Sequence, residues 1–98
     1  MYTGCYGKDY HDLLTRDPEQ FPPSFLTGNG TAVLSNRVSH FFDLHGTSMS
    51  IDTGCSAGLV ALHQACQDIR SGDSEMSVVG ATNTILNPDL FIIMSTLG

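Results

Sequence analysis

A cysteine and a serine stand side by side in the stretch SIDTGCSAG, and either of them could act as a nucleophile. The residues before Cys55 alternate between polar and apolar, which is typical of a strand, and the residues after it have helical spacing. A turn from strand to helix places its corner residue at the positive end of the helix dipole, which stabilises both a thiolate and an oxyanion. Cys55 occupies that corner.

Ser56 belongs to a second possible motif, because Gly54 to Gly58 spells G-x-S-x-G, the nucleophile-elbow pattern of α/β-hydrolases. A serine nucleophile needs a base within hydrogen-bond reach, and in that fold the acid and the histidine follow the serine in the chain. His63 is the only histidine after Ser56, and it falls on the same predicted helix. Since a cysteine needs less activation, the residues favour Cys55 and leave Ser56 open.

Hydrophobic spacing predicts the elements that position this corner. The alternation in TSMSIDT predicts a strand, and apolar residues recur every three or four positions from Ser56 to Arg70, which predicts a helix that closes at Gly72. The apolar run MSVVG then predicts a buried strand parallel to the first. Strand, helix and strand form a βαβ unit with an expected right-handed crossover. A stripe of small residues predicts burial of the helix on most sides: Ala57, Gly58, Ala61 and Ala65.

The flanking segments predict further elements of a single α/β unit. MYTGCYG resembles the end of a strand, and a short helix with Tyr10 and Leu13 precedes an irregular loop that starts at Pro18. TGNGTAVLSNRVSHFFDLHG predicts a helix with Thr31 as its N-cap. The apolar face of that helix comprises Val33, Leu34, Val38, Phe41 and Phe42. An Asn-Pro turn near the C-terminus leads into one or two more apolar helical turns.

Length and composition limit the class of protein. The chain has 98 residues, 41% of them hydrophobic and 14% charged, which suits one packed unit rather than two domains or a disordered segment. Its two ends interrupt apolar segments, so we expect residues 1–98 to be part of a domain, truncated at both ends. The formal net charge is −6, and the absence of a basic cluster argues against a nucleic-acid partner.

The cysteines and the hydropathy indicate a compartment. Cys5, Cys55 and Cys66 are odd in number and include no C-x-x-C pair, which fits a reducing cytoplasm better than a secreted disulfide framework. No stretch has the length of a membrane span, and the N-terminus has no signal-peptide pattern. We therefore expect a cytoplasmic protein with no membrane partner.

Several residues that could carry chemistry have simpler interpretations. Cys5 and Cys66 are expected in the core, where free cysteines are common. His63 and Cys66 have a spacing that could hold a metal, but no second pair of ligands accompanies them, so no metal is predicted. The run from Gly28 to Gly30 lacks the Lys-Ser/Thr of a phosphate-binding loop and predicts a turn, with no bound cofactor. Asp52 is expected to hold the cysteine turn in shape through local amides, as is its neighbour Thr53.

The region FDLHGTSMSIDTGCSAGLVALHQACQDIRSGDSEMSVVGATN closely resembles the active-site segment of β-ketoacyl synthase domains, in particular those of fungal polyketide synthases. The resemblance rests on Asp-Thr-x-Cys-Ser followed by Leu-Val-Ala-Leu-His-x-Ala-Cys, and on a glycine beside an acidic residue further on. GNGTAVLSNRVSHFFDL is similar to the preceding segment of the family, so the likeness covers nearly the whole chain.

The resemblance implies a fold, an activity and partners. The family has the thiolase-like fold, an α/β/α/β/α sandwich of which this chain would form part of the N-terminal half, and it works as a homodimer. Its cysteine, matched by Cys55, takes an acyl chain from the phosphopantetheine arm of an acyl carrier protein. The enzyme then condenses that acyl group with a malonyl-type extender after decarboxylation. The backbone amide of Cys55 would lie in the oxyanion hole.

The chain departs from the family pattern in two respects. Gly54 stands where alanine is commonest, and Ala57 and Gly58 stand in a run that is usually serine. The two catalytic histidines of the family lie in motifs beyond the resembling segment, so none of the chain's own histidines matches them: His11, His40, His45 and His63. We therefore expect the isolated chain to be inactive in condensation. A serine esterase fragment using Ser56 and a catalytically inactive truncated relic are the alternatives.

Overall fold

The computed structural model describes residues 1–17, 19 and 21–98. In chain order the elements are β1 (Tyr2–Tyr6), α1 (Asp9–Thr15), α2 (Phe25–Asn29), α3 (Thr31–Phe41), β2 (Met49–Ile51), α4 (Ala57–Ser71), β3 (Val79–Asn83) and α5 (Asp89–Thr96). The predicted strands and the helix pattern of the cysteine region are confirmed. Short α2 interrupts the predicted loop, and Pro18, where that loop was predicted to start, lies outside the described residues.

Three parallel strands form one sheet in the order β2-β1-β3. Tyr2 lies opposite both Met49 of β2 and Val79 of β3, which aligns the carboxyl ends of the strands at one edge. The predicted β2-α4-β3 unit is present, but β1 lies between its two strands. The third strand begins at Val79, three residues later than the start of the apolar run at Met76.

Helix α4 covers one face of the sheet through its small residues. Ala57, Ala61 and Ala65 are buried, and Tyr2 packs against the last two of them. Ser56 is the N-cap. Gly72 closes the helix at φ 84°, as predicted. The other sides of α4 are open, since Leu59 is exposed, so burial on most sides is not observed within this chain.

Helix α3 packs on the opposite face through serines rather than through its apolar residues. Ile51 faces α4 and Ser50 alternates with it, so Ser50 points toward α3. The backbone N–H of Ser35 donates to Ser50 Oγ at 3.2 Å, and Ser39 Oγ lies 2.8 Å from Ser48 Oγ. Small hydroxyl side chains bring helix and strand close together and satisfy each other's polar atoms there.

One prediction for α3 was wrong, and its apolar face has an orientation that the sequence did not predict. Gly30, not Thr31, is its N-cap, and Thr31 is the first helical residue. The apolar face is turned away from the sheet, because Ser35 and Ser39 are the buried residues and Phe41 is 80% exposed. The spacing identified one face of the helix correctly as apolar, but hydrophobicity alone did not identify the face that packs on β2.

Helix α5 confirms the predicted apolar helical segment near the C-terminus, but none of its residues is buried. Its exposed apolar residues are Leu90, Phe91, Ile92, Ile93 and Met94. Among the described residues, no helix is long and apolar enough to cross a bilayer.

Candidate active site

The turn between β2 and α4 is built by short hydrogen bonds from polar side chains. Gly54 adopts φ 65°, a left-handed conformation that favours glycine, and its N–H donates to Asp52 Oδ1 at 3.0 Å. Ser56 Oγ donates to the Thr53 carbonyl oxygen at 2.8 Å and lies equally close to Thr53 Oγ1. The prediction that Asp52 holds the turn through a local amide is confirmed, whereas Thr53 contributes through the Ser56 hydroxyl rather than through an amide.

Cys55 lies at the corner of this turn, and its side chain is exposed. It precedes the N-cap residue Ser56, whose side chain makes no capping hydrogen bond to α4. The Ala57 amide donates back to the Gly54 carbonyl at 3.1 Å, which closes the first turn beneath Cys55. The thiol therefore stands at the start of a helix of 15 residues, where the peptide dipoles favour negative charge.

An open cleft of about 410 Å³ adjoins Cys55 at the carboxyl edge of the sheet. Parallel α/β sheets bind ligands at this edge. The residues that line the cleft come from the ends of β1 and β3, the cysteine turn, and the starts of α4 and α5: Gly4, Cys5, Tyr6, Gly54, Cys55, Ala57, Gly58, Ala81, Thr82, Asn83 and Leu90. The cleft therefore offers both backbone and apolar surface next to Cys55.

The base of the cleft is formed by backbone in direct contact with backbone. A Cβ placed on Gly4 would lie 2.6 Å from the Gly58 nitrogen and 2.7 Å from the Ala57 carbonyl carbon, which is closer than atoms can approach. Only glycine therefore fits at position 4 with α4 at its present distance. This contact brings the first turn of α4, and with it Cys55, close to the end of β1.

Cys5 lies on the same cleft, a location that the sequence did not reveal. Its Sγ lies 3.7 Å from the Ile51 carbonyl oxygen, and its side chain is half-buried. Burial raises the pKa of Cys5, the Asp52 carboxylate raises it further, and the positive charge of Lys8 acts in the opposite direction. The available signal was that residue 5 falls at the carboxyl end of a strand parallel to the one before Cys55.

Neither Ser56 nor the histidines form a hydrolase-like arrangement. The Ser56 hydroxyl hydrogen-bonds to Thr53, as described above, and none of the four histidines hydrogen-bonds to Ser56 or Cys55 in the described structure. His63 Nε2 lies 3.4 Å from Gln67 Nε2, one turn further along α4. Among the described residues, no basic side chain therefore hydrogen-bonds to Ser56.

A larger cavity of about 450 Å³ opens near the start of α3 and includes Lys8, Arg37 and one side of Cys5. Gly28 and Gly30 line it. The turn predicted from Gly28 to Gly30 was wrong for its first two residues, which belong to the end of α2, while Gly30 separates α2 from α3. Cys55 does not line this cavity. We take the smaller cleft as the candidate site because it combines an exposed thiol with a helix start at the carboxyl edge of the sheet.

Comparison with known proteins identifies the family to which this chain belongs. Residues 1–98 match the model of the β-ketoacyl synthase N-terminal domain. The chain belongs to the β-ketoacyl synthase family. It is 57% identical over 98 residues to the squalestatin tetraketide synthase of a Phoma species, and 54% identical over 98 residues to a highly reducing polyketide synthase of Leptosphaeria maculans. Each of these two alignments covers 100% of this chain and 4% of the relative's length.

The fold of this ketosynthase segment is also matched by a solved structure. The oxazolomycin ketosynthase domain of Streptomyces albus superimposes with a TM-score of 0.80 at 34% identity, over 98% of this chain and 16% of that one. The expected thiolase-like fold and the resemblance to fungal polyketide synthases are confirmed. The α/β-hydrolase alternative is not favoured by these comparisons.

Proposed function

We propose that Cys55 is the acyl-accepting nucleophile of a polyketide-type ketosynthase. The observation that carries this proposal is the exposed Cys55 thiol at the start of α4, beside a cleft at the carboxyl edge of the sheet. The family match supports it, because the relatives are named as polyketide synthases. Residues 1–98 would then form one part of a ketosynthase domain that further chain completes.

In the first half of this reaction, the Cys55 thiolate attacks the carbonyl carbon of an acyl thioester. A tetrahedral intermediate forms, and its oxyanion accepts a hydrogen bond from the Cys55 backbone N–H. The bond between the carbonyl carbon and the pantetheine sulfur then breaks, and that sulfur leaves as a thiolate that takes up a proton. The acyl group ends on Cys55 as a new thioester, with no change in oxidation state.

The second half of the reaction joins this acyl group to a carbanion, formed when a malonyl-type extender loses carbon dioxide. Proton transfer and carbanion stabilisation need groups near Cys55. In the described structure no histidine contacts Cys55, so these groups would come from outside this chain. The isolated chain is therefore expected to accept acyl groups at best and not to condense them.

The partners in this proposal are an acyl carrier protein, whose phosphopantetheine arm delivers both thioesters, and a second copy of the domain. An exposed aromatic pair supports the homodimer: the Phe41 and Phe42 rings meet edge to face with their centroids 4.9 Å apart, and both are mostly exposed. A reducing compartment such as the cytoplasm also belongs to the proposal, because Cys55 must be a free thiol.

The test uses a hybrid synthase, in which these 98 residues replace the matching segment of the Phoma squalestatin tetraketide synthase. Incubation with an acyl thioester followed by peptide mass spectrometry should locate the acyl group on Cys55. Cys55→Ala should abolish that label and polyketide formation, whereas Cys66→Ala, which changes a thiol further along α4, should keep both. Label on Ser56, from the thioester or from a fluorophosphonate, would support the hydrolase alternative instead.

The isolated chain serves as the second arm of this test. With acyl and malonyl carrier-protein substrates it should give no condensation product, while the hybrid synthase does. Turnover by the 98 residues alone would contradict the proposal that the groups needed for condensation lie outside them. A hybrid that folds but carries no label on Cys55 would contradict the assignment of the nucleophile.

A further inference from the structure

The carboxylate of Asp9 connects the first turn of α1 to a segment almost eighty residues later. Its Oδ2 accepts the backbone N–H of Leu86 at 2.9 Å and that of Asn87 at 3.3 Å. Both amides lie in the connection from β3 to α5, where no strand partner is available to them. One carboxylate oxygen atom therefore satisfies two successive amides and fixes the path of this connection.

A second contact joins the same two regions. Arg16, just after α1, forms an ion pair with Asp89, the first residue of α5, at 3.3 Å. The Asp89 amide in turn donates to Asn87 Oδ1 at 3.0 Å. The Arg16 pair is exposed and contributes little by itself, so the Asp9 carboxylate is the principal polar link between α1 and the start of α5.

The start of α5 matters because it forms one wall of the Cys55 cleft. Leu90, the second residue of the helix, lines that cleft, and it is 37% exposed while Phe91 is 60% exposed and Leu97 is 76% exposed. No residue of α5 is buried. Within the described part of the chain, the wall at Leu90 is thus held chiefly by the polar contacts at the start of α5 and not by a packed core.

We infer that Asp9 is a positioning residue of the ketosynthase, which sets the distance of Leu90 from Cys55 and so influences the length of acyl chain that the cleft accepts. The inference rests on the proposed function of Cys55. Asp9 touches neither the thiol nor the cleft, and it acts through the amides of Leu86 and Asn87. Loss of its oxygen would release the wall, and acyl groups that contact the wall would be affected more than those too short to reach it.

The experiment compares four forms of the hybrid synthase with its parent. Asp9→Ala removes the acceptor, Asp9→Asn keeps an oxygen at the same place without the charge, and Asp9→Glu keeps the charge but displaces the oxygen. Asp12→Ala is the matched control, since it removes an exposed carboxylate from the same helix that contacts only its neighbour His11 among the described residues. For each form, the rates of Cys55 acylation by acetyl and octanoyl N-acetylcysteamine thioesters are measured. The rate of Cys55 alkylation by iodoacetamide is measured alongside them.

The expected result is a change of about tenfold in the octanoyl-to-acetyl rate ratio for Asp9→Ala, the size of effect that a small change in an apolar pocket produces. Asp9→Glu should change the ratio in the same direction, and Asp9→Asn and Asp12→Ala should leave it within about twofold of the parent. Iodoacetamide should alkylate Cys55 at the same rate in all forms, because this small reagent does not need contact with the cleft wall at Leu90. Amide hydrogen exchange in peptides covering Leu86 and Asn87 should accelerate in Asp9→Ala and not in Asp12→Ala.

An unchanged ratio in Asp9→Ala would overturn the inference, as would equal effects of Asp9→Ala and Asp12→Ala, or a parallel loss of acylation and alkylation. If Asp9→Ala does not fold, Asp9→Glu decides by the same ratio, and rapid exchange of the Leu86 and Asn87 amides in the parent would also overturn it. Failure of the proposed function gives a different result, namely a folded parent hybrid with no acyl group on Cys55.

Discussion

Two thiols line one cleft, and their surroundings separate their chemistry. Cys55 is exposed at the helix start, whereas Cys5 is half-buried with its Sγ against the Ile51 carbonyl oxygen. Because the thiolate is the reactive form, a raised pKa leaves Cys5 mostly protonated near neutral pH. On the proposed function, Cys5 would therefore not compete with Cys55 for acyl groups.

The charges around Cys5 predict that two substitutions shift the pKa of its thiol in opposite directions. Asp52→Asn removes a negative charge that disfavours the thiolate, so the pKa of Cys5 should fall and its alkylation should begin at lower pH. Lys8→Gln removes a positive charge that favours the thiolate, so the alkylation profile should move to higher pH. The measurement is the pH dependence of iodoacetamide labelling at Cys5 in the hybrid synthase, read by mass spectrometry.

These two variants control each other, because each removes one charge and leaves a polar side chain. Asparagine at position 52 retains an oxygen for the Gly54 amide, so the cysteine turn should persist. Profiles that shift in the same direction, or that do not move, would show that charge at these positions does not govern the Cys5 thiol.

At this scale the sequence predicted Cys55 well and Cys5 poorly. At Cys55 the period of the hydrophobic pattern changes from two residues to about 3.6 residues. This change indicates a strand-to-helix corner without any knowledge of the fold. Cys5 reaches the same cleft only because β1 is inserted between β2 and β3. Strand order depends on contacts between distant segments, and local spacing contains no information about it.

At the scale of elements, close approach is governed by small residues on both faces of the sheet. Alanines of α4 pack on one face and serines of α3 on the other. The alanine stripe was predicted, because its small side chains form a continuous line at helical spacing. The serine face was not, since Ser35 and Ser39 are polar and their burial depends on contacts with Ser48 and Ser50 in a different segment.

The contact between β1 and α4 predicts a difference between two glycines of the sheet. Gly4→Ala would force its Cβ to within 2.6 Å of the Gly58 backbone, so α4 must move away, at a cost of about 1–3 kcal/mol. Gly80→Ala, on the neighbouring strand β3, meets no atom within 4 Å. In the hybrid synthase, amide exchange in α4 should accelerate in the first variant and not in the second.

The rate of Cys55 acylation gives a second comparison of Gly4→Ala with Gly80→Ala. Since Gly58 is the third residue after Cys55, displacement of α4 in Gly4→Ala should also slow acylation of Cys55, while Gly80→Ala retains the parent rate. Equal exchange and equal acylation in both variants would mean that the sheet and α4 can separate without cost.

At the scale of the whole molecule, the chain is flat and its apolar surface is largely uncovered. Its radius of gyration is 15.9 Å, and its extents are 45 × 39 × 13 Å. A compact domain of about 100 residues has a radius of gyration of about 13 Å. The sequence predicted a partial domain, but the location of the exposed apolar surface on α5 and the outer side of α4 required the fold.

The exposed apolar surface predicts concentration-dependent association of the isolated 98-residue chain. Apolar patches of this kind are removed from water by self-contact when their usual cover is missing. Ile93→Lys, on the 57% exposed Ile93 of α5, should weaken the association. Gln64→Lys on α4 adds the same charge without removing apolar surface and should have a smaller effect. Sedimentation velocity over a range of concentrations measures both, and a monomer at every concentration would contradict the prediction.

The glycine at position 4 also limits how the chemistry of this cleft can diversify. Since peptide groups of β1 and α4 meet there without any side chain between them, substitution has no means of deepening or filling the floor under the nucleophile. On the proposed function, variants that select different acyl groups must therefore change other residues of the cleft, such as Thr82 and Leu90, because Ala81 lies close to Gly58 of α4. Natural or engineered libraries should accept diversity at Thr82 and Leu90 and reject it at Gly4.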